Sequence, residues 1–481
     1  MEEQPSASGE APTPAPKRKA LWIAIAVIVV VVVVLLAAVL LGVLGGGAKP
    51  QAIFFAGYPG AGDTIIPTWW NNRASWPAEW LYSEGLRSPD FFWRLAAKGV
   101  DVATIEGTAP TAPIDANSTA AYNLFDTAYR GAFGSPPNLF DSNSYDALFL
   151  LALAFQKSGT LNTNSSSFKQ ALRDVSSPPG TAIRPGEWSK ALTELGAGRD
   201  IDFQGAAGAD NFDQYGEVGS DYEVWHLDAT VNITQKLFIP EGSWVSSSAA
   251  SVHASGLPGP VVAPTQTDLK IGTLFDRTGA LKDFGPHMEN ATNLARDQIN
   301  AAGGITISGT NYNILLIHED DGTNPTTARD SASKLVNTDH VSAIIGATAS
   351  SSSLAALAVT APAGIILISA SSTSPKLTTA DTTDQFWRTA ASDALQGRAA
   401  SWYAFVKRGW RTMSIAYVDN AYGLGIGNVF RTDFEARGGT ILRMVPFSES
   451  VASVNANSVL TTLFTPGKQS SFPAIATWRE D

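Results

Sequence analysis

The feature that most constrains this chain is a regular alternation of short apolar runs with amphipathic segments after residue 268. LKIGTLF, NILLIHED, VSAIIGA, GIILISAS, MSIAYVD, TILRMVPF and FPAIATW have the length and bulk of buried strands. Between them MENATNLARDQINAAGG, TTARDSASKLVNT, SSLAALAVTAPA, SDALQGRAASWYAFVKRG, LGIGNVFRTDFEARGG and VNANSVLTTLF carry helical spacing, two of them ending on paired glycines. Strands that alternate with helices demand parallel sheets covered on both faces, which makes this an α/β chain. Residues 50–242 add a strand at AIFFAG and helices at YNLFDTAYRGAFG and SYDALFLLALAFQKSG. Between residues 243 and 267 the composition turns to Ser, Ala, Gly, Pro and Thr, that of a flexible linker.

A second constraint lies at the other end. Residues 21–44 carry no charge and centre on a run of valines. As a helix they reach roughly 36 Å, enough to cross a bilayer. Lys17, Arg18 and Lys19 stand directly before them, so the positive-inside rule leaves the disordered-type tail 1–20 in the cytoplasm and the rest outside the cell. A cleaved secretory signal is the competing reading, though the apolar run is long for one. Composition excludes several functions. With no cysteine there are no disulfides, thiolate metal sites or cysteine nucleophiles, and five histidines without HxxxH spacing leave no zincin-type site. A formal net charge of −11 offers no basic face to nucleic acid. No cofactor is implied.

In open α/β sheets a site lies beyond the carboxyl ends of the strands. Those positions here are FDRTG (275–279), EDDGTNP (319–325), GATASSSS (346–353), SASSTSP (369–375), YVDNAYG (417–423) and GYPGAGD (57–63). They offer hydroxyls and glycines but no general base beside a nucleophile, which argues against an enzyme. Ser350–Ser353 open an apolar helix, so they either cap it or, with the hydroxyls of Ser369–Ser374, bind an anion there. GYPGAGDT lacks the Lys and final Ser/Thr of a phosphate loop. GLGIG (423–427) is GxGxG, and turn glycines after a strand explain it better than a dinucleotide fingerprint. Glu319, Asp320 and Asp321 are read as a solvated loop rather than a cation site. The tryptophans at 69, 70, 76, 80 and 93 are expected to pack in the core or on its surface.

LKIGTLFDRTGALKDFGPHMENATNLARDQINAAGGI, HEDDGTNPTTARDSASKLV, ISASSTSPKLT, FWRTAASDALQG and IAYVDNAYGLGIGNVF occur in that order. Together they resemble the branched-chain amino-acid (Leu/Ile/Val) substrate-binding proteins of ABC transporters, which have the two-lobed type I periplasmic-binding fold. AIFFAGYPGAGDTIIPTWW, WLYSEGLRSPDF, EGTAP, SYDALFLLALA and FDQYGEVGSDYEVW resemble the second half of the same family, yet here they come first. The chain therefore resembles a circular permutant cut inside the second lobe, with FPAIATW (472–478) and PQAIFFAG (50–57) both similar to one family strand. Exchange of halves between two chains and a truncated tandem are alternative accounts. The resemblance implies a first lobe from 268–388 plus the returning helix near 145–158, and a second from 392–481 plus 50–140.

It also implies a ligand, an amino acid or related amide, and a partner, an ABC permease. Ser350 matches the hydroxyl that holds the ligand carboxylate. Ser371, through its backbone, and Thr373 match the groups that share its carboxylate and amine. Glu84 matches the acid that pairs with the ammonium, and Tyr58 and Tyr422 match aromatic contacts from the opposite lobe. Phe284 stands where the family often has tyrosine, so a hydroxyl is lost. A ligand-sensing ectodomain of the same fold and a rearranged product without binding activity are the alternatives to a membrane-tethered binding protein.

Overall fold

Ala52–Ala56 (AIFFA) is buried at every residue, as a strand flanked on both sides and covered on both faces must be. Its neighbours come from both ends of the chain. It pairs in parallel with Thr412–Val418, with Ala52 opposite Met413 and Ala56 opposite Tyr417, and on its other edge with Glu79–Tyr82. In the computed structural model, which describes residues 48–111, 116–240 and 268–465, Pro50–Phe464 forms one compact unit. The apolar segment 21–44, the linker 243–267 and the strand expected at 472–478 lie outside the described residues. Among those described, no helix is long and apolar enough to cross a membrane.

Two sheets organise the unit. The first orders its strands 386–388, 366–369, 343–346, 268–275, 310–320 and 305–307, parallel except for the last pair. The second orders 440–447, 412–418, 52–56, 79–82, 106–111, 221–227 and 233–239, with only the last two strands antiparallel to their neighbours. Helix Asp141–Ser158, buried from Ser144 to Phe155, packs on Gly285–Ala301 and so joins the first sheet's lobe. Helices Pro59–Asn71, Asp393–Trp402, Ala421–Ala436 and Ala456–Phe464 cover the second. Besides the 239–268 connection, the chain passes between lobes after Thr111, between Asp210 and Asp221, and between Arg388 and Asp393. Phe54 on its strand stacks on Phe430 of helix Ala421–Ala436 at 4.3 Å, so residues far apart in sequence share one core.

Most of the expected strands and helices form where the pattern put them; four local expectations are corrected. An additional strand, Ile305–Ile307, returns on Thr310–Tyr312 through Ser308 and Gly309. Both turn residues have positive φ (49° and 82°), the requirement of a tight hairpin turn. The glycines of GLGIG are not turn residues but sit within helix Ala421–Ala436. They are there for clearance: a Cβ on Gly423 would stand 2.2 Å from the Val418 carbonyl, and one on Gly425 3.0 Å from Pro375 of the other lobe. Ser350–Ser353 do not cap their helix, because the N-cap position is Ala349 and no side chain bonds the terminus. Finally, Glu319 and Asp320 end a strand, and Asp321 is fully buried rather than solvated. Its carboxylate accepts from the backbone of Thr348 at 2.7 Å and Thr323 at 2.8 Å, groups that would otherwise be unpaired at the sheet's end. Of the tryptophans, Trp69 and Trp80 are buried, whereas Trp93 is 56% exposed.

Candidate functional site

The carboxyl ends of the two sheets face each other, and the loops that leave them meet around a small cavity. Tyr58, Glu84, Gly85, Phe140, Leu281, Phe284, Thr348, Ser350, Ser371 and Tyr422 line it. Six of the residues expected from sequence are therefore brought together: Tyr58, Glu84 and Tyr422 from the second lobe, Phe284, Ser350 and Ser371 from the first. Thr373 is not on the cavity wall; it is buried behind it, its hydroxyl donating to Asp393 Oδ2 at 2.8 Å. The cavity measures about 20 Å³, room for roughly one water.

Each wall is held by its own bonds. On the first lobe, Ser350 Oγ accepts from the Ser374 backbone at 3.1 Å, and Ser371 Oγ donates to the Thr348 carbonyl at 2.9 Å. Ser353 and Ser372 exchange a hydroxyl bond at 2.8 Å, which ties the two serine clusters to each other. Thr348 Oγ1 accepts from the Asp276 backbone at 2.8 Å. Desolvation pushes the Asp321 carboxyl, which orients the Thr348 amide, up to about 8.

On the second lobe, Tyr58 and Tyr422 stack with centroids 5.3 Å apart and planes 12° from parallel. Asn420 donates to Tyr58 Oη at 3.1 Å, and Tyr422 donates to Ser83 Oγ at 2.8 Å. Glu84 opens a single 3₁₀ turn, Glu84–Leu86, and is only 1% exposed. A Cβ on Gly85 would lie 2.7 Å from the Gly57 carbonyl and 3.1 Å from the Tyr422 hydroxyl, so only glycine lets that turn approach the tyrosines. Glu84 Oε2 accepts from Gln396 Nε2 at 2.5 Å. Burial outweighs these bonds and raises its carboxyl to about 7.

The lobes are also latched outside the cavity. Arg94 of the second lobe bridges Asp63 of its own lobe at 2.9 Å and Asp283 of the first at 2.6 Å. Ser351 donates to Glu449 at 3.1 Å, and Ser374 donates to the Ala421 carbonyl at 2.7 Å. Such contacts hold a closed arrangement.

Sequence reasoning missed Phe140, Leu281, Thr348, Gly85 and the two polar groups behind the wall, Gln396 and Asp393. Thr348 lay inside the hydroxyl-rich strand end already singled out. Phe140 left no local signal: it takes a left-handed backbone (φ 71°) just before a buried helix, strain that only the surrounding packing sustains. Its ring meets Phe284 at 6.2 Å. Together with Leu281 they give the first lobe an apolar wall beside its hydroxyls. Among the described residues, no cluster of His, Cys, Asp and Glu is arranged to hold a metal ion.

Comparison with known proteins gives this geometry its context. Residues 268–461 match the sequence model of the periplasmic binding protein family. An amino acid binding protein of Pseudomonas aeruginosa is 32% identical over 36% of this chain and 44% of its own length. The Leu/Ile/Val-binding protein BraC3 of Rhizobium johnstonii is 28% identical over 36% of this chain and 45% of its own. Among solved structures, the branched-chain amino acid transporter substrate binding protein LivJ from Streptococcus pneumoniae, in complex with isoleucine, shares 31% identity. That match has a TM-score of 0.34 and covers 38% of this chain and 50% of that one. The chain thus spans less than half the length of these curated relatives. Over residues 268–461 the chain is similar to periplasmic binding proteins, amino-acid-binding ones among them.

Proposed function

We propose that this chain is a membrane-tethered, extracytoplasmic solute-binding protein that captures an amino acid, branched-chain or similar, for an ABC-type importer. The observation that carries the proposal is that Ser350 and Glu84, on opposite lobes, line one cavity. A zwitterion needs donors for its carboxylate and an acceptor for its ammonium about a residue apart. The first lobe offers hydroxyls at a helix start, and the second a buried carboxylate. Phe140, Leu281, Phe284 and the two tyrosines supply apolar surface for the rest of the ligand. Because each lobe holds one end, a ligand stabilises the closed form more than an open one. A cavity with room for roughly one water holds no amino acid, so the lobes must part for loading and close less fully around a ligand than they do here. Ser371 keeps its proposed part, whereas Thr373, its hydroxyl donated to Asp393 behind the wall, does not touch the cavity. Residues 21–44 are the proposed tether, and the two halves are the permuted pieces of one binding fold.

A thermal-shift screen of the full chain against the twenty amino acids, followed by calorimetry on the hits, tests this. An apolar amino acid should raise the midpoint in proportion to the logarithm of its concentration. No shift with any amino acid overturns the reading.

A further inference from the structure

Asp393 is the group the site has not used. It is fully buried at the start of helix Asp393–Trp402. Its Oδ2 accepts from Thr373, while Oδ1 has no hydrogen-bond partner. One helical turn on, Gln396 reaches Glu84 at 2.5 Å, so positions 393 and 396 share the helix face that meets Glu84. The backbone amide of Asp393 donates to the Thr373 carbonyl at 2.7 Å. This helix start therefore touches both lobes: Thr373 through Asp393, and Glu84 through Gln396.

The surrounding groups do not neutralise two negative charges. Tyr58, Tyr422, Ser83, Thr373 and Gln396 are neutral. Glu449, bonded to Asn420 beside Tyr58, adds negative charge. Arg388, whose charge acts on Asp393, is shared with Glu217 at 2.5 Å and with the carbonyls of Ser372 and Ser374 at 3.2 and 3.1 Å, and its Nε has no hydrogen-bond partner. Two buried carboxyls in mutual repulsion without a dedicated cation do not both ionise near neutral pH.

We propose that Glu84 and Asp393 form a two-carboxyl cradle that holds one proton when no ligand is bound and gives it up to solvent when a ligand ammonium arrives. This deepens the function proposed above and rests on it. The exchange balances: one proton leaves the cradle, one positive charge enters, and the ammonium keeps its own protons. Asp393, behind the cavity wall, thereby acts through Glu84 as a positioning residue that favours cationic nitrogen over a ligand bearing a carboxylate alone. Desolvation and the charge of Glu84 both act to hold the Asp393 proton.

Calorimetry of the full chain with L-leucine at pH 7, in phosphate and in Tris, reads the proton directly from the difference in heats. Close to one proton should be released per leucine bound. Affinity should fall by about tenfold per pH unit as pH drops from 7 to 5. Asp393→Asn keeps the shape and an acceptor for Thr373, and should bring both effects close to zero. If Asp393→Asn fails to fold by circular dichroism, the ligand-free infrared comparison with Glu84→Gln below decides in its place. Binding without proton release, or release unchanged in a folded variant, overturns the cradle while leaving amino-acid capture intact. A ligand-independent arm separates the two ideas. In the infrared spectrum of the ligand-free chain at pH 6, a protonated-carboxyl band should be lost in Glu84→Gln. That band without leucine binding would refute the proposed function and uphold the shared proton; no such band refutes the cradle.

Discussion

Ser350 shows how one side chain serves two needs. Its Oγ accepts from the Ser374 backbone and also faces the cavity, so its hydroxyl can donate a hydrogen bond to a ligand carboxylate without disturbing that bond. Ser350→Ala should weaken amino-acid binding about 10- to 150-fold, the equivalent of about 1.5–3 kcal/mol for a hydrogen bond to a charged group. Calorimetry beside an unchanged circular dichroism spectrum would establish that; equal affinity would take Ser350 out of the site. The hydroxyl clusters, the tyrosines and Glu84 could be named from sequence because strand-end loops advertise them and the family resemblance orders them. Asp393, Gln396 and Phe140 could not. Each acts through a neighbour more than a hundred residues away or across a lobe, and nothing in its local spacing marks it.

At the scale of elements, the pattern of apolar runs was enough to place most strands and helices after residue 268, but few of those between residues 50 and 242. Burial on both faces writes itself into a parallel strand, and a cap such as Asn324 or Asn420 writes the start of a helix. GLGIG was misread because glycine in a helix has the same letters as glycine in a turn. The difference is the neighbour. Helix Ala421–Ala436 passes so close to Ser374 and Pro375 that position 425 has no space for a side chain when the lobes are shut. Gly425→Val should therefore hold the lobes apart. Small-angle scattering with saturating ligand should show no compaction, and affinity should drop by more than tenfold with the melting midpoint preserved. A normal closed radius in the variant would mean that the helix contact does not gate closure.

The whole molecule is held by a sheet that neither part of the chain could complete. Strand Ala52–Ala56 stands between Glu79–Tyr82 and Thr412–Val418, and its phenylalanines stack on Phe430 and Phe447. A protease site engineered between residues 240 and 268 should therefore leave the two pieces bound after cutting. They should run as one species on a native sizing column and separate only in denaturant; separation under native conditions would refute a fold shared within one chain. Buried carboxyls set a second global property. Asp146 is raised to about 7 and Asp321 to about 8, both chiefly by desolvation. Each binds a proton in the folded state between its unfolded value, near 4, and its raised one, so its contribution is full below about pH 4 and is lost as pH rises toward 8. Asp321→Asn should flatten the decline of the melting midpoint between pH 5 and 8. An unchanged slope would show that Asp321 is ionised in the fold.

The sequence by itself determined the class of structure, the order of most elements after residue 268 and most side chains that could meet a ligand. Those properties are encoded locally, in periodicity and in the residues at strand ends. Tertiary structure decided which of those side chains share a cavity, why Thr373 stands behind its wall, and how two acids come to face one helix start. The physical reason is that desolvation and mutual repulsion exist only between groups folding has brought together, and the 309 positions separating Glu84 from Asp393 carry no trace of that meeting.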